Sequence, residues 1–490
     1  MYSFTHLILI VGLFATFILQ TLADDPHYCL SQIPSLIENE LKKFPRPRHA
    51  LLFQAHDESG KETRIFEKNS EEFMTPASNN KILTTAASYI DLGVDFSFKT
   101  TLRQHPHDQN KYCLIMNGNP ELSVTDLQTL VDKAAEKGKT LVLDTASFFG
   151  PQSQDVYGTW EFGDLPYYYS AQPVAASVAR VAAARGVCNT FVIEVRPGAK
   201  EGDLMNASVI EPSGFPADFW RRSLPVQFES TTAAASAQSG VGAIPALGFE
   251  GVTIRGALAV GAKPERLIVT HTNPTMFAQR LVSFLASERR VPFELGQCYS
   301  RESNVVATVE SPTSLVLMDH TLKTSDNTYT ELYLRTLGAK YMDRNTTTTT
   351  AESSGLEMVQ KILEHYLDVP SSSYKQFDGS GLSRWNLVSA ESLVDTITGM
   401  YDHHREYITF FPEAGKSGTL SNRFMQYPGI LRAKTGTITG TSSLSGIIYA
   451  KYFDHIVFSV IVNQSVLRAS EIRAVIDDIC IMVAYTDPSC

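Results

Sequence analysis

Ser78-Asn79-Asn80-Lys81, Ser325-Asp326-Asn327 and Lys434-Thr435-Gly436 follow one another along the chain. Each motif alone is short enough to arise by chance. Three in this order, each in a fitting local setting, are far harder to obtain by accident. Met74-Thr-Pro-Ala leads into Ser78, and beyond it Ile82, Leu83, Ala86, Ala87 and Ile90 recur at helical spacing until Gly93. Ser78 therefore opens a helix, and Lys81 returns to its face one turn later. A serine hydroxyl needs an adjacent base to become a nucleophile. A lysine serves only if burial or nearby positive charge pulls its pKa down. The helix start adds a positive field and free N–H groups that can hold an oxyanion. The competing reading is a capping serine with a lysine facing solvent.

Ser325-Asp326-Asn327 precedes a helix expected to run to Arg335, with Gly338 past its end. Ser325 is thus either a plain N-cap or a hydroxyl in the cleft of Ser78. In the second case it can relay a proton to a leaving amine. Asn327 would then hold a substrate amide and orient Lys81, with Asp326 pointing away. Lys434-Thr435-Gly436-Thr437 falls on a predicted strand. Gly436 would let a substrate backbone come close to the strand. Lys434, Thr435 and Thr437 offer charge and hydroxyls for a carboxylate. The competing reading is an edge-strand lysine that discourages aggregation.

The rest of the chain supplies the frame. A helix is expected over 28–44 and strands over 50–54 and 64–67, with a turn at Glu58-Ser59-Gly60. Three strand-like runs over 431–439, 443–450 and 455–462 have short connections and so predict an antiparallel sheet. A last helix is expected over 470–485 and another over 355–367, while Thr346 to Thr350 has the look of an exposed loop. Helices at both ends with a sheet built late give an α/β sandwich. Between its halves, 24–105 and 291–490, lies an inserted module over 106–290 with mixed strands and helices, read as nested subdomains.

With 490 residues, 43% hydrophobic and 19% charged, the chain is globular and long enough for two or three domains. A net charge of −10 argues against nucleic acid as a partner. The apolar run Leu7 to Leu19 is short for a membrane span and is followed by Thr21-Leu22-Ala23. Residues 1–23 are therefore expected to be a signal peptide despite the lack of Lys or Arg before the run, and no other segment is long enough to span a bilayer. The mature chain holds Cys29, Cys113, Cys188, Cys298, Cys480 and Cys490 with no zinc-type spacing. An even count on an export route permits up to three disulfides. Asn206, Asn345 and Asn463 begin N-glycosylation triplets, about as many as chance provides.

The three motifs, with Asn117-Gly-Asn-Pro-Glu-Leu122, Asp378-Gly-Ser-Gly-Leu-Ser-Arg384 and Asn386, resemble the class C low-molecular-mass penicillin-binding proteins, the D-alanyl-D-alanine carboxypeptidase/endopeptidase family. Ser325 lies 247 residues beyond Ser78, a step far longer than in class A β-lactamases, which carry the same motifs. The resemblance implies a transpeptidase/β-lactamase-like sandwich, an antiparallel sheet with flanking helices, interrupted by smaller β-containing domains. It implies Ser78, Lys81, Ser325, Asn327 and Lys434 as catalytic residues and Thr435, Gly436 and Thr437 as substrate-binding ones. The substrate would be a peptidoglycan peptide or other D-Ala-D-Ala compound, with β-lactams as inhibitors and no metal or diffusible cofactor. The oxyanion would lie between the N–H groups of Ser78 and Thr437. Terminal helices pack together in this family, which suggests a Cys29–Cys480 disulfide. Trp385, inside the Ser-Arg-x-Asn stretch, departs from the pattern and bears on side-chain preference. The action would be extracytoplasmic: periplasmic in a bacterium, secretory in a eukaryote. No feature sets an oligomeric state.

Other signals fail on inspection. Gly415-Lys416-Ser417 resembles the end of a P-loop, but Phe410 stands where its first glycine would be. His403-His404 lacks a metal-binding frame, and there is no G-x-S-x-G elbow. Two rival functions stay open: an esterase or β-lactamase-like hydrolase using the same residues, and a non-catalytic cell-wall-binding homologue.

Overall fold

The computed structural model describes residues 25–148, 158–244, 251–298, 303–342 and 349–490. The expected signal peptide, the triplet at Asn345 and residues 346–348 of the Thr-rich run lie outside them. Among the described residues, no helix is long and apolar enough to cross a membrane.

The site is carried by a five-stranded antiparallel sheet in the order Leu431–Ile438, Thr441–Ile448, His455–Asn463, Arg48–His56, Glu62–Lys68. Its two faces are read out by residue parity. Ala50, Leu52, Val457 and Ile461 face helices Asn80–Leu92, Ala351–Leu367 and Ala390–His403. Leu51, Phe53, Phe458 and Val460 face helices Ile33–Leu41 and Ala469–Ala484. Both sides being covered, every residue of the middle strand His455–Asn463 is buried. Each large apolar side chain taken fully out of water there contributes about 1.5–3 kcal/mol. The α/β sandwich expected from the sequence is the one observed.

Three local expectations are corrected. Helix Asn327–Tyr341 runs through Gly338 rather than ending before it. A Cβ at Gly338 would meet the Ala351 carbonyl oxygen at 1.7 Å, and one at Gly355 the Leu334 oxygen at 2.3 Å. The glycines let two helices cross closely; neither is a cap. The first helix begins at Ile33, because Tyr28–Cys29 is extended and pairs with Thr486–Asp487. That pairing also corrects the disulfide. Cys29 bonds Cys490, while Cys480 is a free, buried thiol facing the core from the last helix. A core-facing cysteine cannot reach a strand at the rim. Cys113 bonds Cys298, and Cys188 is free and buried.

Between the halves lies a mixed sheet in the order Phe293–Leu295, Thr140–Asp144, Lys111–Ile115, Ser97–Gln104, Val305–Thr313. Helices Val124–Glu136 and Pro274–Glu288 join its core, and two three-stranded sheets follow within residues 190–270. We propose Ser97 and Thr313 as the limits of the inserted module.

Candidate active site

Three elements meet at Ser78. The first is a 3-10 turn over Ala77–Asn79 that feeds helix Asn80–Leu92. Ala77 is held at φ +49°, a left-handed conformation that costs an alanine energy and persists only when its surroundings enforce it. They do so from several sides. Asn463 accepts from the Thr75 N–H at 2.8 Å and donates to the Thr75 carbonyl at 3.0 Å. Ser443 donates to the Pro76 carbonyl at 2.7 Å. Gly381 lies so close that a Cβ there would stand 1.9 Å from the Ala77 oxygen. Of the two glycosylation triplets within the described residues, the one at Asn463 is thus committed to holding the nucleophile turn.

The strand Leu431–Ile438 closes on this turn. A Cβ on Gly436 would fall 2.2 Å from Ser443 Oγ, 2.7 Å from the Pro76 oxygen and 3.1 Å from Ser78 N. The glycine therefore admits the protein's own nucleophile turn, a different reason from the substrate approach expected from sequence. Thr435 and the exposed Thr437 sit on either side of it, with Thr435 Oγ1 donating to Thr419 Oγ1 at 2.7 Å.

The third element is the junction of helices Ser314–Thr324 and Asn327–Tyr341. Ser325 occupies it in the left-handed region at φ +63°, and Asp326, not Ser325, caps the second helix by accepting from Tyr329 N at 3.0 Å. Ser325 is thereby left free of capping and turned to the cleft, where Lys434 Nζ donates to its Oγ at 2.8 Å.

Lys81 is the centre of the cluster. Its Nζ lies 3.2 Å from Ser78 Oγ, 2.5 Å from Asn327 Oδ1 and 2.6 Å from the Ser380 carbonyl, fully buried. The two carbonyl-type oxygens can only accept, so they take two N–H groups. A neutral amine then has one lone pair left, and it faces the one partner that can donate, the Ser78 hydroxyl. Burial pulls the Lys81 pKa down to about 8, opposed by the negative charges of Asp378, Glu331 and Asp326. Lys434 is also fully buried and pushed well below the ordinary lysine range, first by burial and then by Lys81.

Ser78, Lys81, Ser325, Asn327 and Lys434 are thus brought together, with Thr435, Gly436 and Thr437 along one wall. Sequence reasoning missed their support. Asn327 Nδ2 is fixed by the Tyr169 carbonyl at 2.7 Å, from the inserted module. Asp378 accepts from the N–H groups of Gly381 and Ser383 (2.8 and 2.6 Å), from Asn386 Nδ2 (2.7 Å) and from Trp160 Nε1 (2.9 Å). This shapes the loop that presents the Ser380 carbonyl. The Gly-Ser-Gly run inside 378–384 is the sequence signal for this loop.

Fold and cluster together define a serine peptidase of the penicillin-binding class. The family model of the D-Ala-D-Ala carboxypeptidase 3 (S13) family matches residues 37–483, and the chain belongs to that family. It is 29% identical over 460 residues to the penicillin-sensitive carboxypeptidase A of Dictyostelium discoideum, covering 87% of this chain and 84% of that one. It is 29% identical over 410 residues to the D-alanyl-D-alanine carboxypeptidase of Actinomadura, covering 78% and 72%. Penicillin-binding protein 4 from Haemophilus influenzae shares the fold at a TM-score of 0.75 and 22% identity, over 92% of this chain and 99% of that one.

Proposed function

We propose that the protein removes the terminal D-alanine from D-Ala-D-Ala-ended peptidoglycan peptides through an acyl-enzyme on Ser78, and that penicillins acylate the same oxygen. The observation that carries this is the buried Lys81 amine: obligate acceptors at 2.5 and 2.6 Å take two of its N–H groups, and Ser78 Oγ stands 3.2 Å from Nζ, where the lone pair of the neutral amine would meet it.

In this reading Lys81 Nζ takes the Ser78 proton as Oγ bonds to the carbonyl carbon of the penultimate D-alanine. The oxyanion is received by the N–H groups of Ser78 and Thr437. As it collapses, the C–N bond to the terminal D-alanine breaks. The leaving amine takes the proton that Lys81 received, relayed through Ser325, which is hydrogen-bonded to Lys434. Thr435, Thr437 and Lys434 hold the terminal carboxylate of the substrate. Water then gives a proton to Lys81 as its oxygen adds to the ester carbonyl, and the C–Oγ bond breaks as that proton returns to Ser78 Oγ. The family membership and the carboxypeptidase names of the two relatives support the substrate class. We further propose export through the leader at residues 1–23, so that the protein acts outside the cytoplasm.

Intact-mass spectrometry with benzylpenicillin tests the reading. One adduct on the wild-type protein, absent from Ser78→Ala, is expected. Folded wild-type protein that takes no adduct would rule it out.

A further inference from the structure

Glu331 lies one turn beyond Asn327 on helix Asn327–Tyr341 and is fully buried. Its Oε1 accepts from the N–H of Ser380 at 2.6 Å and its Oε2 from the N–H of Gly379 at 3.1 Å. The carbonyl of the same Ser380 is what Lys81 Nζ grips at 2.6 Å. The helix thus touches the base twice: directly through Asn327 Oδ1, and one turn later through Glu331 and residue 380. The loop has little freedom to relax around this contact. Thr84 Oγ1 donates to the Gly379 carbonyl at 2.9 Å, and Gln376 Nε2 donates in turn to Thr84 Oγ1 at 3.0 Å. A Cβ on Gly379 would stand 3.3 Å from Glu331 Oε2, 3.2 Å from Leu334 Cβ and 3.2 Å from Thr84 Cγ2. A methyl at 379 would press on all three, and the carboxylate would have to give by a few tenths of an ångström.

We propose that Glu331 is a positioning residue for the general base: it holds the Ser380 carbonyl where it occupies one N–H of Lys81 and keeps the amine's lone pair on Ser78 Oγ. The inference rests on the reading of Lys81 as base given above. Glu331 does not touch substrate. Its charge has a second consequence. Lys81 is faced by Asp378, Glu331 and Asp326, which favour its protonated form, and by Lys434, which is itself depressed by Lys81. Taking one of the three negative charges away lets the amine lose its proton at lower pH. A group that merely filled space would not do this.

The test is the rate of benzylpenicillin acylation as a function of pH for wild type, Glu331→Gln and Glu331→Asp. Glutamine keeps the shape, loses the charge and turns an amide N–H₂ toward a main-chain donor. Its maximal rate should fall on the order of a hundredfold, the cost of displacing a reacting group by about an ångström. Its acid limb should move to lower pH. Aspartate keeps the charge but withdraws the oxygens; its rate should fall with the limb in place. A glutamine variant with wild-type rate and limb overturns the proposal. So does one whose rate falls in step with its melting temperature while the limb stays put. If Glu331→Gln does not fold, Gly379→Ala, which presses a methyl on Glu331 Oε2 without touching its charge, replaces it. A folded alanine variant that acylates as fast as wild type overturns the proposal equally. Wild-type protein that takes no adduct at all removes the catalytic reading itself, a result distinguishable from every variant effect.

Discussion

Lys81 and Lys434 are both fully buried, and each donates to a serine hydroxyl, Ser78 in one case and Ser325 in the other. Their surroundings differ. Lys81 rises from a helix and is met by the Asn327 amide oxygen and the Ser380 carbonyl, with Asp378, Glu331 and Asp326 behind them. Lys434 lies on a strand whose further acceptor is its neighbour's carbonyl, Thr435 O at 2.7 Å, and the field acting on it is the positive one of Lys81. Two lysines this close titrate as a pair. The negative charges of Asp378, Glu331 and Asp326 favour a proton on Lys81 over one on Lys434. In the proposed reading, a substrate carboxylate at Thr435 and Thr437 is the counter-charge that draws the proton to Lys434 and leaves Lys81 free as base. Two residues of one type are thus given opposite tasks by their neighbours.

The sharpest way to break this comparison is to remove each amine in turn. Lys81→Met should slow acylation by about 10²–10⁴-fold, the usual weight of a general base. Lys434→Met should cost about 10²–10³-fold as an electrostatic loss. The pH profile separates them further. Wild-type acylation needs neutral Lys81, so it should rise as pH increases through about 8. With the resting proton on Lys81, Lys434→Met leaves this limb where it was. A limb that moves to higher pH in Lys434→Met would mean that Lys434 carried the charge all along. Gly436→Ala comes next, because its methyl would collide with Ser443 Oγ and Pro76 O at 2.2 and 2.7 Å. It should lower stability by about 1–3 kcal/mol, read from denaturant midpoints, and slow acylation by driving the strand that bears Lys434 from Ser78. A peptide ending in D-alaninamide should be cleaved more slowly than the free acid in wild type, with the discrimination lost in Lys434→Met. The smallest effect belongs to Thr419→Val, which removes the partner of Thr435 Oγ1. One neutral hydrogen bond contributes about 0.5–1.5 kcal/mol, so kcat/KM should fall by about tenfold or less.

Most of the frame was legible because it is local. The apolar runs within Arg48–His56 and His455–Asn463, helical spacing after Ser78, and the motifs on their helix start, helix junction and strand can all be read along the chain. What was missed depends on elements distant in sequence. Gly338 looks like a stop signal until Ala351 is seen against it. Cys480 looks as available as Cys490 until the core claims it. Glu331 sits four residues after Asn327, on the same helix face, and that spacing was the available clue. Its partner, a main-chain N–H at residue 380, has no sequence signature.

The sheet that carries the site draws its strands from both ends of the chain, with Arg48–His56 beside His455–Asn463. This orders events in time as the protein is made. The strands of the proposed module between Ser97 and Thr313 pair only among themselves, so all of them are made by residue 313. The nucleophile emerges earlier still, yet the asparagine that clamps Thr75 is residue 463 and the lysine opposite Ser78 is residue 434. A ribosome must release the chain through residue 463 before the turn at Ser78 is fully held, so a product cut short of it would carry the serine without that clamp.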